Sequence, residues 1–345
     1  MNRQPFNRLL CAGAVAAAAF AGAPAHAGPF SNLVVFGDSL SDNGNNFLAG
    51  LYDPAQVITG NTYVPSFTYA SAAPLPTYSN GPVWASYFAT SLGLALTPSL
   101  AGGGNFAFGG ATTGTPGAGA GGFPYSLRTQ TTQFLGATGG VASPDALYVI
   151  AGGGNNARAA LDAIRGGGAS VATTAAATAA AFASDVGSIV DQLQAAGAQH
   201  IVVWNAPNLG LAPAVAAGGA GAVGAGTFIA NAMNASLAAR LAIEAGVATF
   251  DLYGFGSAVA ANPAAFGITN TTDACGAVAG ANCSRYVYYD GIHPTTAAHA
   301  AIATSMLTTA AMVPEPETYA LFAVGLGALA LVVRRRKQPA DALAA

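Results

Sequence analysis

Four short apolar runs, set between longer helical patterns, constrain the fold of this chain most strongly. Most of the runs contain β-branched residues, and they lie at residues 33–36, 146–150, 201–204 and 248–252. Short, continuously apolar runs are typical of parallel strands that are buried on both faces. Helical patterns lie at residues 175–196, 231–245 and 296–307. The alternation indicates a doubly wound α/β/α fold, in which sites gather at the carboxyl ends of the strands.

The composition favours a large core and offers little charge for recognising a charged partner. The chain has 345 residues, 7% of them charged, and its formal net charge is −3. So weak a charge argues against a nucleic-acid partner, and we expect a monomer. Two glycine-rich stretches, 101–122 and 212–226, carry no nucleotide-binding fingerprint. The second is predicted to be a surface loop or a loosely packed cap.

The N-terminus has the parts of a secretory signal peptide. Arg3 and Arg8 precede an apolar run at residues 9–21, and Ala-His-Ala at 25–27 matches a signal peptidase site. Such segments are removed on export. We therefore predict a signal peptide at 1–27 that signal peptidase removes, a mature chain that begins at Gly28, and a folded domain at 28–312.

The C-terminus carries a second membrane-directed segment. Val-Pro-Glu-Pro at 313–316 is followed by an apolar stretch at 319–333 and by Arg-Arg-Arg-Lys at 334–337. The stretch is short for a full membrane span, and the positive-inside rule places its basic end in the cytoplasm. The combination resembles the PEP-CTERM sorting signal of Gram-negative bacteria. Hydropathy alone would indicate a plain C-terminal anchor.

The sorting resemblance has consequences for the location of the protein. It implies recognition by an exosortase-type protease, removal of the helix, and an association with envelopes that produce exopolysaccharide. Residues 313–338 are then the signal with its short transmembrane helix, and 339–345 are a tail. We expect the body in the periplasm, outer envelope or extracellular matrix, with transient anchoring in the inner membrane by the C-terminal helix.

Two cysteines are left in the exported body. Cys275 and Cys283 lie close together in a loop that leads towards residues 290–293. A disulfide is the usual state of such a pair outside the cytoplasm, with two free thiols as the alternative. A metal site would need further ligands nearby, and none has suitable spacing.

A Gly-Asp-Ser turn after the first predicted strand supplies a candidate nucleophile. Gly-Asp-Ser-Leu-Ser-Asp occupies residues 37–42, and Asp-Gly-Ile-His occupies 290–293. The hydroxyl of Ser39 would lie beside N–H groups of the turn and of the next helix start, which can hold an oxyanion. His293 can act as its base, and Asp290 can orient the imidazole. Taken alone, Asp-Ser is usually a turn or a helix cap, and Asp-x-x-His a hydrogen-bonded loop pair.

Two glycine-containing segments are candidates for an oxyanion hole. One is Asn-Phe-Ala-Phe-Gly-Gly-Ala-Thr at 105–112, whose glycine pair allows a backbone N–H to face a ligand. The other is Gly-Gly-Asn-Asn at 153–156, where Asn155 can offer a side-chain N–H. Ordinary turn formation would also explain both segments.

Together these four segments resemble the SGNH subgroup of the GDSL esterase/lipase family, from about residue 33 to residue 309. The resemblance implies a three-layer α/β/α sandwich with a mainly parallel sheet, the flavodoxin-like SGNH hydrolase fold. It also implies that Ser39, His293 and Asp290 form the catalytic triad. The oxyanion hole would comprise the N–H groups of Ser39 and Gly110 and the side chain of Asn155, with no metal or organic cofactor. Asn156 stands where the family usually has Asp, which we expect to alter local hydrogen bonding more than catalysis.

The resemblance leaves the substrate open. The leading hypothesis is hydrolysis of lipid or short acyl esters through an acyl-enzyme. The alternatives are deacetylation of an O-acetylated exopolysaccharide, acyl transfer to an acceptor other than water, and a catalytically silent envelope or matrix protein. Two further histidines have structural explanations: His200 is expected to be a capping or surface residue, and His299 to face solvent or a neighbouring helix.

Overall fold

The structure is a computed structural model that describes residues 30–63, 67–167 and 170–311. The predicted signal peptide, the start at Gly28 and the C-terminal sorting segment lie outside these residues. Within them, no helix is both long and apolar enough to cross a membrane.

A four-stranded parallel sheet forms the centre of the molecule. Its strands run in the order β1, β2, β3, β4 across the sheet: β1 (Asn32–Gly37), β2 (Ala146–Ala151), β3 (His200–Trp204) and β4 (Val247–Phe250). On the outer side of β1, the N–H of Val35 donates to Gly104 and the N–H of Phe106 donates to Val35. This extra bridge brings the segment around Asn105 against the edge of the sheet, beside the end of β1.

Helices cover both faces of the sheet, as a three-layer α/β/α sandwich requires. The nine helices of the described residues are α1 (Asn45–Leu48), α2 (Trp84–Ser91), α3 (Leu127–Ala137), α4 (Gly154–Arg165), α5 (Val171–Ala195), α6 (Pro213–Ala216), α7 (Ala220–Leu241), α8 (Leu252–Ala261) and α9 (Thr296–Ala310). Alternate residues of each strand pack into opposite cores: Val34 and Phe36 face the core that contains α5 and α7, while Leu33 and Val35 face the core that contains α2 and α9. This double burial explains why the strands are continuously apolar.

Helix bounds differ from the sequence predictions at glycine-rich positions. Residues 220–226 belong to α7, so the prediction of a loop or loose cap over 212–226 was wrong for this part. Gly210 and Gly226 lie in close contact there, which shows that small residues let the helix pack against the preceding segment. The helix ends at Leu241 instead of residue 245. The last predicted strand also ends earlier, because Asp251 caps α8 by accepting a hydrogen bond from the N–H of Gly254.

A second, smaller pairing precedes the Asp-Gly-Ile-His segment. Strands β5 (Asn270–Ala274) and β6 (Tyr286–Tyr288) pair with each other, and Cys275 and Cys283 lie in the connection between them. The Cα atoms of the two cysteines are 5.5 Å apart, a separation that a disulfide spans. The sequence patterns did not predict this pair of short strands.

Candidate active site

The end of β1 places Ser39 in a tight turn at the carboxyl edge of the sheet. The N–H groups of Ser41 and Asp42 both donate to the carbonyl of Asp38, and the N–H of Leu40 donates to the Asp38 carboxylate. The expected helix after the turn is a single turn that begins only at Asn45, so the N–H groups near Ser39 come from the turn itself. Ser39 is largely buried, with 8% of its surface exposed.

Ser39, His293 and Asp290 form one continuous hydrogen-bonded series. The Nε2 atom of His293 lies 2.9 Å from the Oγ of Ser39, and its Nδ1 lies 2.6 Å from the Oδ2 of Asp290. The other oxygen of Asp290 accepts hydrogen bonds from the N–H groups of Ile292 and His293. This local turn fixes the carboxylate below the ring, so the imidazole can bridge the carboxylate and the hydroxyl.

A tyrosine that the sequence patterns did not identify completes the environment of Asp290. The hydroxyl of Tyr69 donates to Oδ2 of Asp290 over 2.7 Å, and the ring of Tyr69 is buried. Four donors therefore surround this carboxylate. Tyr69 comes from the long connection between α1 and α2, whose conformation carries no periodic signal, so only the structure could bring it to the site.

The segment at 105–112 approaches Ser39 through a glycine turn. The N–H of Ala111 donates to the carbonyl of Phe108, and Gly110 has a φ of +85°, as the third position of a type II turn requires. A Cβ on Gly109 would lie 2.1 Å from the ring of Tyr78, so this position also needs glycine. Tyr78 in turn lies against the ring of His293, at 5.1 Å between centroids.

Asp42 connects the serine turn to the glycine turn. Its Oδ1 accepts from the N–H groups of Gly44 and Asn45, and its Oδ2 accepts from those of Asn46 and Gly109. Burial raises the pKa of the Asp42 carboxyl to about 6, and the four hydrogen bonds act against this shift. Burial likewise raises the pKa of Asp38 to about 6. Both residues shape the turn, as their positions predicted.

Asn155 lies in the first turn of α4, at the carboxyl end of β2. Gly153 precedes this helix with a φ of +113°, and a Cβ there would lie 2.7 Å from Phe182. The Nδ2 of Asn155 donates to the carbonyl of Ala111, over 2.8 Å. One of its two N–H bonds therefore fixes the amide beside the glycine turn, which leaves the second for a ligand.

Asn156 makes the altered local hydrogen bonding that the departure from the family pattern led us to expect. Its Oδ1 accepts from the N–H of Thr113, and its Nδ2 donates to the Thr113 hydroxyl. That hydroxyl donates in turn to Asp185. The amide therefore supplies a donor that a carboxylate would lack, while the neighbouring carboxylate comes from α5.

Gln130 is a second residue that sequence reasoning missed. Its Oε1 accepts from the N–H of Gly37 and its Nε2 donates to the carbonyl of Gly37, both over 2.8 Å. The residue is fully buried on α3. It fixes the last residue of β1, two positions before Ser39. A polar residue on the inner face of a predicted helix was the one available sequence signal.

The remaining predicted residues lie as follows. His200 is a buried residue within β3 and His299 is buried in α9, so the predictions of a capping or surface position for His200 and a solvent-facing one for His299 were wrong. Burial lowers the pKa of His299 to about 3, with a smaller contribution from the charge of His293. No group of three or more metal-ligating side chains with suitable geometry occurs in residues 30–63, 67–167 and 170–311.

Comparison with known proteins agrees with this arrangement. The profile of the GDSL-like Lipase/Acylhydrolase family matches residues 33–306, which is most of the chain. The chain belongs to this family. Family membership supports a hydrolase that acts on esters, and it accounts for the α/β architecture. A second profile, the PEP-CTERM protein-sorting motif, matches residues 313–337 and supports export.

One curated relative also matches this GDSL-family chain. It is the "Uncharacterized protein in trpE-trpG intergenic region" of Pseudomonas putida, 33% identical over 207 residues. The match covers 54% of this chain and 30% of that protein, so the chain spans about a third of the length of the relative. The printed description of the relative assigns it no activity.

Proposed function

We propose that this protein is an exported carboxylic-ester hydrolase that works through an acyl-enzyme. The observation that carries the proposal is the series Ser39–His293–Asp290, with hydrogen bonds of 2.9 and 2.6 Å. In this scheme His293 takes the proton of Ser39 as its Oγ attacks the ester carbonyl. The imidazolium, held by Asp290, then protonates the leaving alcohol. Water attacks the acyl-enzyme in the same way, and its proton passes through His293 while Ser39 is restored.

The oxyanion hole in this proposal comprises the N–H groups of Ser39 and Gly110 and the side chain of Asn155. Two hydrogen bonds support it: Asp42 accepts from Gly109 beside the glycine turn, and Asn155 donates to Ala111 at its end. Donors that are fixed before the reaction need little reorganisation when negative charge develops on the carbonyl oxygen. The scheme needs no metal or organic cofactor.

Lipid or short acyl esters are the proposed substrates, and an O-acetylated exopolysaccharide is a second candidate. The second rests on the PEP-CTERM match at 313–337. The same match supports partners that the structure does not describe: signal peptidase at the N-terminus, and an exosortase-type protease at the C-terminus. A monomer, an envelope location and a disulfide between Cys275 and Cys283 complete the proposal.

A labelling experiment on the full chain tests the nucleophile separately from the substrate. A fluorophosphonate probe should label the wild-type protein and not Ser39→Ala, which should also lose about 10⁴- to 10⁶-fold in the rate of p-nitrophenyl acetate hydrolysis. Ser31→Ala, at an exposed serine just before β1, is the matched control and should behave as wild type. Equal labelling of Ser39→Ala and wild type would refute the assignment.

A further inference from the structure

An apolar cavity adjoins the candidate active site on the side of α8 and α9. Its volume is about 310 Å³, and most of its lining atoms are apolar. Leu40, which follows Ser39, forms one wall together with Ile292 and Pro294, which flank His293. The far walls include Phe255 and Val259 of α8 and Ile302 of α9. None of the residues in the series Ser39–His293–Asp290 is spent on this space.

We propose that this cavity binds the acyl chain of the substrate and that the enzyme prefers esters of medium-length aliphatic acids. This inference rests on the proposed ester hydrolysis and narrows its substrate. A water molecule takes roughly 30 Å³, so 310 Å³ has room for about ten groups of that size, which is close to the size of a methylene. An acetyl group would leave nearly all of the apolar lining without contacts.

The two half-reactions decide which arm of the ester belongs in the cavity. The alcohol must leave and water must enter before the acyl-enzyme can be hydrolysed. The acyl chain stays attached to Ser39 throughout. A site built from the neighbours of Ser39 and His293 suits the group that remains, because binding it strengthens both transition states. Since apolar burial is favourable per methylene, the rate should rise with chain length until the cavity is filled.

One glycine allows the cavity to be narrowed with little disturbance. Gly256 lines the cavity from α8, and a Cβ there would meet Leu211 at 3.8 Å, an ordinary van der Waals contact. Gly256→Leu therefore fills space without a backbone clash, and glycine in a helix interior is itself unfavourable. Ala301→Leu narrows the cavity from α9. Gly136→Leu on α3 is the matched control, because this exposed helical glycine has open space around its Cβ position.

The experiment compares rates on p-nitrophenyl esters from C2 to C16, using the full chain. In the wild type, kcat/KM should rise about threefold per methylene, level off near C8 to C10 and fall by C16. Gly256→Leu and Ala301→Leu should lower the ratio of the C10 rate to the C2 rate at least tenfold. Gly136→Leu should leave the ratio at the wild-type value.

A second series separates the acyl arm from the alcohol arm. Acetate esters of ethanol, hexanol and decanol should show no such change of ratio in Gly256→Leu. If the variants alter this series and not the acyl series, the cavity does not bind the acyl chain and the inference is wrong. A flat acyl profile with Ser39-dependent hydrolysis of the C2 ester would also overturn the inference while leaving the proposed function intact. Loss of hydrolysis of every ester in the wild type would instead refute the proposed function.

Discussion

The hydroxyl of Tyr69 donates to the same oxygen of Asp290 that contacts His293, at 2.7 Å from Oδ2. The series of polar groups at the site therefore extends one residue beyond Asp290. A phenol in this position withdraws negative charge from the side of the carboxylate that faces the imidazole. Tyr69 acts on the reaction only through Asp290, which makes it a positioning residue.

Removing this hydroxyl should change the pH dependence of ester hydrolysis. In Tyr69→Phe the carboxylate loses one charge-assisted hydrogen bond and attracts the protonated imidazole more strongly. We expect the acidic limb of the kcat/KM profile to move to higher pH by about half to one unit, with a fall in kcat of about 3- to 30-fold. Tyr148→Phe, which removes a hydroxyl bonded to the carbonyl of Ser143, is the control and should not move the limb. An unchanged limb in Tyr69→Phe would show that the tyrosine only supports packing.

The side chain of Asn155 should contribute to the transition state more than to substrate binding. Asn155→Ala removes a donor that Ala111 holds in place. We expect kcat to fall by about 10²- to 10³-fold with little change in KM. Asn156→Ala, at the next position, is the comparison and should lower kcat less than tenfold. Similar losses in the two variants would contradict a specific role for Asn155 in holding the oxyanion.

Restoring the usual aspartate at position 156 should destabilise this protein. Asn156→Asp loses the donor to the Thr113 hydroxyl and brings a second carboxylate towards Asp185. We expect the free energy of unfolding to fall by about 1–2 kcal/mol, measured by urea denaturation, with kcat within a few-fold of wild type. The double variant Asn156→Asp with Asp185→Asn restores one carboxylate and one amide. It should recover most of the loss, so additive effects in this cycle would speak against the coupling.

His299 should make the fold sensitive to acid. Its pKa is lowered to about 3 in the folded protein, below the ordinary value of 6.5. The unfolded chain therefore takes up a proton as the pH falls below 6.5 while the folded protein does not. Stability is present above pH 6.5 and is lost progressively between pH 6.5 and 3, by about 1.4 kcal/mol per pH unit at most.

The variant His299→Leu isolates this contribution. The free energy of unfolding, measured by urea denaturation at pH 7 and pH 4.5, should fall less between these two values in the variant than in wild type. The difference should be about 2 kcal/mol. The control is His26→Leu in the full chain, which lies outside the folded core and should not alter the dependence. Parallel curves for wild type and His299→Leu would show that another group controls acid unfolding.

The strands and the principal motifs could be predicted from the sequence because each has a local cause. Residues 33–36 and 201–204 are buried on both faces, and their composition reflects this. The turn at Ser39 and the turn at Asp290 are each fixed by side chains two or three positions away, so a short motif contains the necessary information.

Other parts of the site depend on contacts that no local pattern records. Tyr69 reaches Asp290 across 221 positions, and Gln130 reaches Gly37 across 93. The early start of α7 depends on close packing between glycines, where helix propensity alone predicts a loop. The burial of His200 and His299 likewise follows from which sides of β3 and α9 face the cores, which sequence position alone did not reveal.

The four amide bonds of Asp42 carry a consequence for evolution of the protein. Because a single carboxylate holds amides from both turns, the nucleophile and the glycine N–H proposed for the oxyanion move as one body. Insertions elsewhere, for example in the connection that bears Tyr69, can reshape the entrance without changing the spacing of the reacting groups. New specificities can therefore arise by exchanging loops around an unchanged chemical centre.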